Sequence, residues 1–168
     1  MQIAVLGLGN LMRTDDAVGM MALDDLRRDC SLPDDVLWIE GGTLGLDLLD
    51  ALRGVTHLLA LDAVDTGTAP GSIVCFANSE LSQLPVSKSA HLLGFSDLLN
   101  VLQLLGDRPE QVVLLGVQPA ATGWGTTLTP QVETAKRNLI QVARSRIIRW
   151  QSDLTGAMDC EAAAACNV

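Results

Sequence analysis

The sequence predicts one α/β domain, a three-layer sandwich in which a roughly five-stranded, mostly parallel, twisted sheet carries helices on both faces. Two observations support this fold class. Short apolar runs alternate along the chain with longer segments whose apolar residues recur at helical spacing. Glycine-rich turns follow the first two runs, as is typical of parallel strands joined by crossover helices. We expect the domain to span residues 1–150 and residues 151–168, which lack periodicity, to form a flexible tail.

The first expected strand, residues 2–6, is continuously apolar, as in a strand buried on both faces. Gly7 and Gly9 then permit a tight turn, and a helix is expected over residues 15–29. Within that helix an apolar stripe recurs every fourth residue, at Val18, Ala22 and Leu26. The turn and the helix start therefore lie at the carboxyl end of the first strand.

Four further apolar runs predict the remaining strands, at residues 36–39, 58–61, 72–76 and 111–117. Helices are expected over residues 44–52 and 92–105, and a hairpin turn around residues 63–71. Thr129 and Pro130 are typical of a helix N-cap and first position, and that last helix is expected to reach Trp150.

The composition restricts the classes of partner. The chain has 168 residues and a net charge of −9, which disfavours nucleic acid and anionic lipid as partners. The chain contains no run of 18 apolar residues, so we expect no membrane span. The first expected strand starts at residue 2, so we expect no signal peptide. The cysteines have neither CxxC spacing nor histidine neighbours, so we expect a reducing cytoplasm and no zinc site; they are Cys30, Cys75, Cys160 and Cys166.

Ligands of open α/β sheets bind outside the carboxyl ends of the strands. Four segments fall there: Gly7–Asp16, Glu40–Thr43, Asp62 and Gly116–Gln118. A glycine turn at a helix start usually receives a phosphate, but here it delivers two adjacent carboxylates, Asp15 and Asp16. Two negative charges repel a phosphate and attract a cation. We expect Asp15 to cap the helix and Asp16 to be the ligand.

Asp16, Asp62 and His91 are the candidate metal ligands. Two carboxylates and one imidazole suit a divalent transition metal with positions left open for substrate or water. Asp16 and His91 also have a structural interpretation, as a helix cap or a solvated side chain, whereas an acid such as Asp62, directly after a buried strand, is more often functional. His57, the other histidine, precedes the third strand on the opposite edge of the sheet and is expected to be structural.

The first turn also permits a dinucleotide-binding interpretation. Gly7-Leu8-Gly9-Asn10-Leu11 begins a G-x-G-x-x-G pattern, but Met12 occupies the third glycine position. Glu40 ends the second strand, where a ribose-binding acid would lie. Asp15 and Asp16 disfavour this interpretation because they would face the pyrophosphate.

The ordered motifs resemble the hydrogenase maturation endopeptidases. They are Gly7-Leu-Gly-Asn10, Asp15-Asp16-Ala-Val-Gly19, Gly41-Gly42-Thr43, Leu61-Asp62-Ala63 and His91-Leu-Leu-Gly94. The resemblance extends from residue 2 to about residue 150. Two positions depart from the usual family pattern: Glu40 replaces an aspartate, and Asp16 replaces a more common glutamate.

The resemblance implies a function and a set of site residues. The family removes a C-terminal peptide from the precursor of the [NiFe]-hydrogenase large subunit once the nickel–iron centre is installed. It implies that Asp16, Asp62 and His91 bind nickel, supplied by the precursor, and that Asn10 and Gly41-Gly42-Thr43 contact the substrate. Asp16 or Asp62 is also a candidate base. We expect a cytoplasmic monomer.

Two other interpretations remain open. Gly7-Leu8-Gly9-Asn10 is also similar to peptidyl-tRNA hydrolase, but that family needs a histidine soon after the turn, and none occurs before His57. A non-catalytic, nickel-binding assembly factor that holds the precursor without cutting it would carry the same ligands. A cleavage assay on nickel-loaded and nickel-free precursor distinguishes these interpretations.

Overall fold

The computed structural model describes the backbone of residues 2–83 and 90–165, and the side chains of these ranges except residues 79, 82–83, 90–93 and 154–165. Within these ranges the strands are β1 (Ile3–Leu8), β2 (Leu37–Gly42), β3 (His57–Ala63), β4 (Ile73–Ala77) and β5 (Gln111–Val117). The α-helices are α1 (Val18–Arg27), α2 (Ala90–Leu105) and α3 (Pro130–Ala165). Short 3-10 helices span Thr14–Ala17, Leu46–Leu48, Asp50–Leu52 and Asn78–Gln83.

The strands form one five-stranded sheet in the order β2-β1-β3-β5-β4. The first four strands in this order are parallel, and β4 runs antiparallel to β5. The mostly parallel α/β fold predicted from the sequence is confirmed. The expected hairpin around residues 63–71 is wrong, because β5 inserts between β3 and β4 and takes the place of the partner strand.

Alternating side chains of the central strands build a separate apolar core on each face of the sheet. Residues such as Val5, Leu59 and Leu115 pack with α1 and α3 on one face. Leu58 and Leu114 pack on the other face with α2 and with the 3-10 helices that follow β2. Because β1, β3 and β5 are covered on both faces, their runs are continuously apolar rather than alternating.

Three helical segments differ from the sequence expectation. The first helix begins as the 3-10 turn Thr14–Ala17 before α1. The expected helix over residues 44–52 is wrong: Gly45 has φ −103° and ψ −104°, outside the helical region, and two 3-10 helices follow it. The last helix continues past Trp150 to Ala165. The division into a domain of residues 1–150 and a tail stays a prediction.

No helix in the described part of the chain has both the length and the apolar character needed to cross a bilayer.

Candidate functional site

Gly19 brings the start of α1 against the carboxyl ends of β1 and β3. A Cβ atom at Gly19 would lie 2.2 Å from the Leu61 carbonyl oxygen and 2.5 Å from that of Leu8. Both oxygens belong to backbone that is fixed in the sheet, so no side chain fits at this position. The absence of a side chain therefore allows the segment carrying Asp16 to approach the end of β3, where Asp62 lies.

The first glycine turn positions Asp16. Gly9 has φ +115°, and a Cβ there would lie 1.8 Å from the Asp16 carbonyl oxygen, so the turn requires glycine. The Asn10 N–H donates a 2.9 Å hydrogen bond to Oδ2 of Asp16, which is 9% exposed. The Gly9 N–H donates to the Gly42 carbonyl at 2.8 Å and joins the turn to the end of β2. Asn10, Asp16 and Gly42 therefore belong to one hydrogen-bonded rim.

The glycine pair after Glu40 lies against this rim. Gly41 is buried beside β1, where a Cβ would lie 2.6 Å from Cδ1 of Leu6 and 3.0 Å from the Gly7 carbonyl oxygen. Gly42 adopts φ +52°, the left-handed region, and Thr43 is exposed. The sequence expectation of a turn at residues 40–43 is only partly right, because β2 continues through Gly42.

Asp62 is a fully buried carboxylate within β3, one residue before the strand ends. Strand alternation places its side chain on the face shared by Leu58 and Ala60, which is the face that α2 covers. Its Oδ1 accepts a 2.8 Å hydrogen bond from the Ala63 N–H. On the adjacent strand the paired residue is Gly116. Ligands of open α/β sheets bind at the carboxyl ends of the strands, which is where this buried acid lies.

Asp15 does not cap the helix, which corrects the sequence expectation. Its carboxylate is fully buried and accepts four hydrogen bonds from the segment after β5. The donors are the N–H groups of Ala120 and Ala121, at 2.8 and 2.9 Å, and the N–H and hydroxyl of Thr129, at 2.7 and 2.9 Å. Asp15 is therefore a structural anchor, and its neighbour Asp16 keeps the role of candidate ligand.

The anchored segment, residues 118–129, runs along the first turn. The Thr14 N–H donates to the Gly125 carbonyl at 2.8 Å, and the Gly125 N–H donates to the Met12 carbonyl at 3.0 Å. The Arg13 side chain donates to the Thr122 carbonyl at 2.9 Å. Trp124 of this segment is 83% exposed. The sequence does not predict the hydrogen bonds between the first turn and residues 118–129, because the bonded residues are more than 100 positions apart and form no motif.

His91 is the second residue of α2, and its side chain lies outside the described residues. The backbone of the same helix start contacts the segment after β2, because Gly45 and Gly94 approach closely: a Cβ at Gly94 would lie 3.4 Å from the Gly45 Cα. The start of α2 is thus adjacent to the segment that follows Gly41-Gly42-Thr43.

His57 lies at the first position of β3, at the end of the strand opposite Asp62. Its ring packs edge-on against Trp150 with centroids 5.1 Å apart, and Nδ1 lies 3.1 Å from the Thr56 hydroxyl. Burial lowers the pKa of His57, while the charges of Glu110 and Asp153 act in the opposite direction. These contacts place His57 in the packing between β3 and α3, far from the rim.

No cluster of three acidic, histidine or cysteine side chains with metal-binding geometry occurs among the residues whose side chains are described, a set without His91. The rim nevertheless combines hard oxygen donors from Asp16 and Asp62 with the start of the helix that carries His91. The chemistry of these donors fits a divalent transition metal that has further ligands from elsewhere. The metal-ligand assignment stays a prediction.

Comparison with known proteins gives consistent results. A family model described as hydrogenase maturation protease (HycI) matches residues 20–146. The hydrogenase 2 maturation protease of Escherichia coli K12 is 38% identical over 135 residues, covering 79% of this chain and 82% of that protein. The hydrogenase expression/formation protein HupD of Bradyrhizobium diazoefficiens is 34% identical over 152 residues, covering 89% and 79%. The structure of the hydrogenase maturating endopeptidase HybD from E. coli superposes with a TM-score of 0.84 at 33% identity, covering 89% and 93%.

The fold and these matches define a peptide-bond hydrolase built on a mostly parallel α/β sheet. The chain belongs to the hydrogenase maturation protease family. The resemblance deduced from the sequence motifs is thereby confirmed. Membership in a protease family favours the peptidase interpretation over dinucleotide binding and peptidyl-tRNA hydrolysis.

Proposed function

We propose that this protein removes the C-terminal peptide from the precursor of a [NiFe]-hydrogenase large subunit after the nickel–iron centre has been installed. The observation that carries the proposal is a pair of buried acids at one end of the sheet in a protein of the maturation protease family: Asp62 lies in β3, and Gly19 allows the segment that carries Asp16 to approach that strand. The protein acts as a monomer in the cytoplasm.

Asp16, Asp62 and His91 engage a nickel ion that arrives with the precursor. The Asn10 N–H orients the Asp16 carboxylate, and the Ala63 N–H orients that of Asp62. Two carboxylates and one imidazole bind a transition metal only modestly, which suits a metal shared with the substrate rather than a resident one. Nickel polarises the scissile carbonyl or activates water when bound. Asp16 or Asp62 accepts the proton released from the attacking water and passes it to the leaving amine as the peptide C–N bond breaks.

The precursor peptide lies along the rim made by the two glycine turns. The Asn10 side chain and the backbone of Gly41-Gly42-Thr43 border this rim, and Thr43 is exposed. Extended peptides bind through main-chain hydrogen bonds, and a glycine-rich border lets their backbone approach closely.

The proposal predicts the effect of removing each ligand. Asp16→Asn, Asp62→Asn and His91→Ala should each lower cleavage of nickel-loaded precursor by at least about 100-fold, because even groups that only support a metal ligand cost 10- to 100-fold. His57→Ala is the matched control, since His57 lies at the opposite end of β3. Cleavage is measured by the mobility shift of the large subunit, and the fold of each variant by circular dichroism.

Nickel-free precursor serves as the second arm of this experiment. The wild-type protein should leave it uncut. Efficient cutting without nickel would contradict the shared-metal mechanism, and full activity of His91→Ala would remove that residue from the site. If the wild-type protein binds loaded precursor but releases no peptide, the protein is an assembly factor rather than its protease.

A further inference from the structure

A small pocket lies between α1 and the end of β2, beyond the residues assigned above. Its volume is about 160 Å³. Apolar side chains form most of its wall, and an ion pair and one further carboxylate border it; the residues are Leu11, Met20, Met21, Leu23, Asp24, Arg27 and Glu40. The Arg27 guanidinium lies 3.0 Å from the Glu40 carboxylate, and both side chains are more than half exposed. The pocket is thus apolar inside and charged at one border.

The pocket adjoins the proposed site. Met20 follows Asp16 by four residues, just past the change from the 3-10 turn Thr14–Ala17 to α1. The Gly42 N–H donates a 3.3 Å hydrogen bond to the Met20 sulfur. Glu40 directly precedes Gly41, and Leu11 directly follows Asn10. A peptide that reaches Asp16 across the two glycine turns therefore passes the mouth of this pocket.

The size and chemistry of the pocket suit one large apolar side chain. A cavity of about 150 Å³ with an apolar lining accepts a benzene molecule. Met20 and Met21 have flexible, polarisable side chains that adapt to ligands of irregular shape. Leu11 is 51% exposed and Met12 is 56% exposed, and such exposed apolar side chains on a protein surface mark interaction sites when they adjoin a groove.

We propose that this pocket binds one large apolar side chain of the precursor's C-terminal segment, close to the scissile bond, and so sets the position of the cut. The proposal rests on the proposed function, because it takes its peptide from that substrate. The glycine turns hold the peptide backbone, and the pocket selects one side chain along it. Binding energy from this side chain places the scissile carbonyl at the acidic rim.

Two variants test the pocket, Leu11→Ser and Met21→Ser. Both residues are partly or largely exposed, so their replacement leaves the core intact. Leu104→Ser is the matched control: Leu104 is 86% exposed and lies at the end of α2 that leads into β5. The readouts are the Kd of a synthetic peptide spanning the cleavage position, by fluorescence anisotropy, and kcat and KM on loaded precursor.

Each pocket variant should weaken peptide binding by about tenfold, the equivalent of about 1.4 kcal/mol, and lower kcat/KM on loaded precursor by at least the same factor. Leu104→Ser should bind and cut like the wild type. A serine scan of the peptide should find one apolar position whose loss costs about tenfold on the wild type and under twofold on Leu11→Ser/Met21→Ser, since coupled partners are not additive.

Unchanged peptide affinity in both pocket variants overturns the proposal, as does a scan without a coupled position. A wild-type protein that binds the peptide through the pocket but does not cut the precursor refutes the proposed function and leaves the pocket assignment standing. A wild-type protein that binds neither peptide nor precursor overturns both.

Discussion

Asp15 and Asp16 are adjacent acids with different surroundings. Asp15 accepts four hydrogen bonds from residues 120–129 and is fully buried. Asp16 accepts a hydrogen bond from the Asn10 N–H at the edge of the rim. Anchoring by the first acid fixes the backbone of the second, so a structural carboxylate holds a candidate ligand in place.

Asp15→Ala should lower the free energy of unfolding by at least about 3 kcal/mol. The substitution leaves three N–H donors and one hydroxyl without the buried, charged acceptor that they share, and charge-assisted hydrogen bonds contribute more than neutral ones. Urea unfolding measures this loss. Asp34→Ala, at an exposed turn, is the control and should change stability by less than about 0.5 kcal/mol. An equal effect of the two substitutions would contradict the anchoring role.

At the scale of single residues, the sequence predicts which side chains belong to the site better than it predicts which residues they contact. The position of Asp62 in β3, near its carboxyl end, follows from the apolar run before it. The role of Asp15 does not follow from the sequence. An acid at a helix start is expected to be an N-cap, whereas the hydrogen-bond donors to Asp15 lie more than 100 residues away in the chain. Lys136 is another residue whose contacts the sequence does not predict, because a buried lysine needs a partner from elsewhere in the fold. Its ammonium pairs with Asp25 of α1 at 3.0 Å and with Glu133 at 3.4 Å.

At the scale of elements, α3 packs on the sheet through its apolar face, and the side chains of Lys136 and Trp150 add contacts in its first and second halves. Lys136 joins its first half to α1. Burial by itself lowers the pKa of Lys136, but the hydrogen bond and charge of Asp25, together with Glu133, raise it above its usual value. Trp150 joins its second half to the start of β3 through the ring of His57.

The contact between β3 and α3 predicts a pH dependence. Burial lowers the pKa of His57 from its usual value of 6.5, so the folded protein binds this proton less tightly than the unfolded chain. The contribution of His57 to the free energy of unfolding is therefore complete above pH 6.5. It is lost as the pH falls from 6.5 through the lower pKa that His57 has in the folded protein.

His57→Phe keeps an aromatic ring against Trp150 but cannot titrate. The free energy of unfolding, measured in urea between pH 7.5 and about 5.5, should fall less in this variant than in the wild type. Parallel pH profiles for the two proteins would show that His57 contributes nothing to the dependence. Carboxylates, which titrate mainly at lower pH, are common to both proteins.

Continuous apolar runs and glycine turns make the strands predictable, and all five lie where the sequence indicates, with ends shifted by a few residues. Elements that depend on distant contacts are less predictable. Residues 44–52 have the composition of a helix, but Gly45 packs against Gly94 of α2 in a non-helical conformation and interrupts it. The pairing of β4 likewise depends on β5, which follows it in the chain.

At the scale of the whole molecule, two apolar cores share one sheet. Leu139 of α3 is fully buried on one face, and Leu98 of α2 on the other. The central strands β1, β3 and β5 contribute side chains to both cores. Loss of one core would therefore expose the same strands that build the other. The molecule should therefore unfold in one cooperative transition.

Leu98→Ala and Leu139→Ala should each lower the free energy of unfolding by about 2–5 kcal/mol, as expected for a large-to-small substitution in a packed core. Urea unfolding followed by tryptophan fluorescence and by far-ultraviolet circular dichroism should give coincident curves for both variants. Leu104→Ala, at an exposed site, should remain within about 0.5 kcal/mol of the wild type. Two separate transitions in either core variant would show that the faces unfold independently.

The anchor at Asp15 also has a consequence for synthesis of the chain on the ribosome. Its partners lie 105 to 114 residues downstream. At about 5–20 residues per second, the first strand and both acids wait about 5–20 s in the nascent chain before residues 120–129 are translated. Until then Asp15 keeps its hydration shell, and the first turn lacks the segment that fixes it. The first turn is therefore held in place only after residues 120–129 have been translated, so a nascent chain that stops short of them lacks the anchored rim.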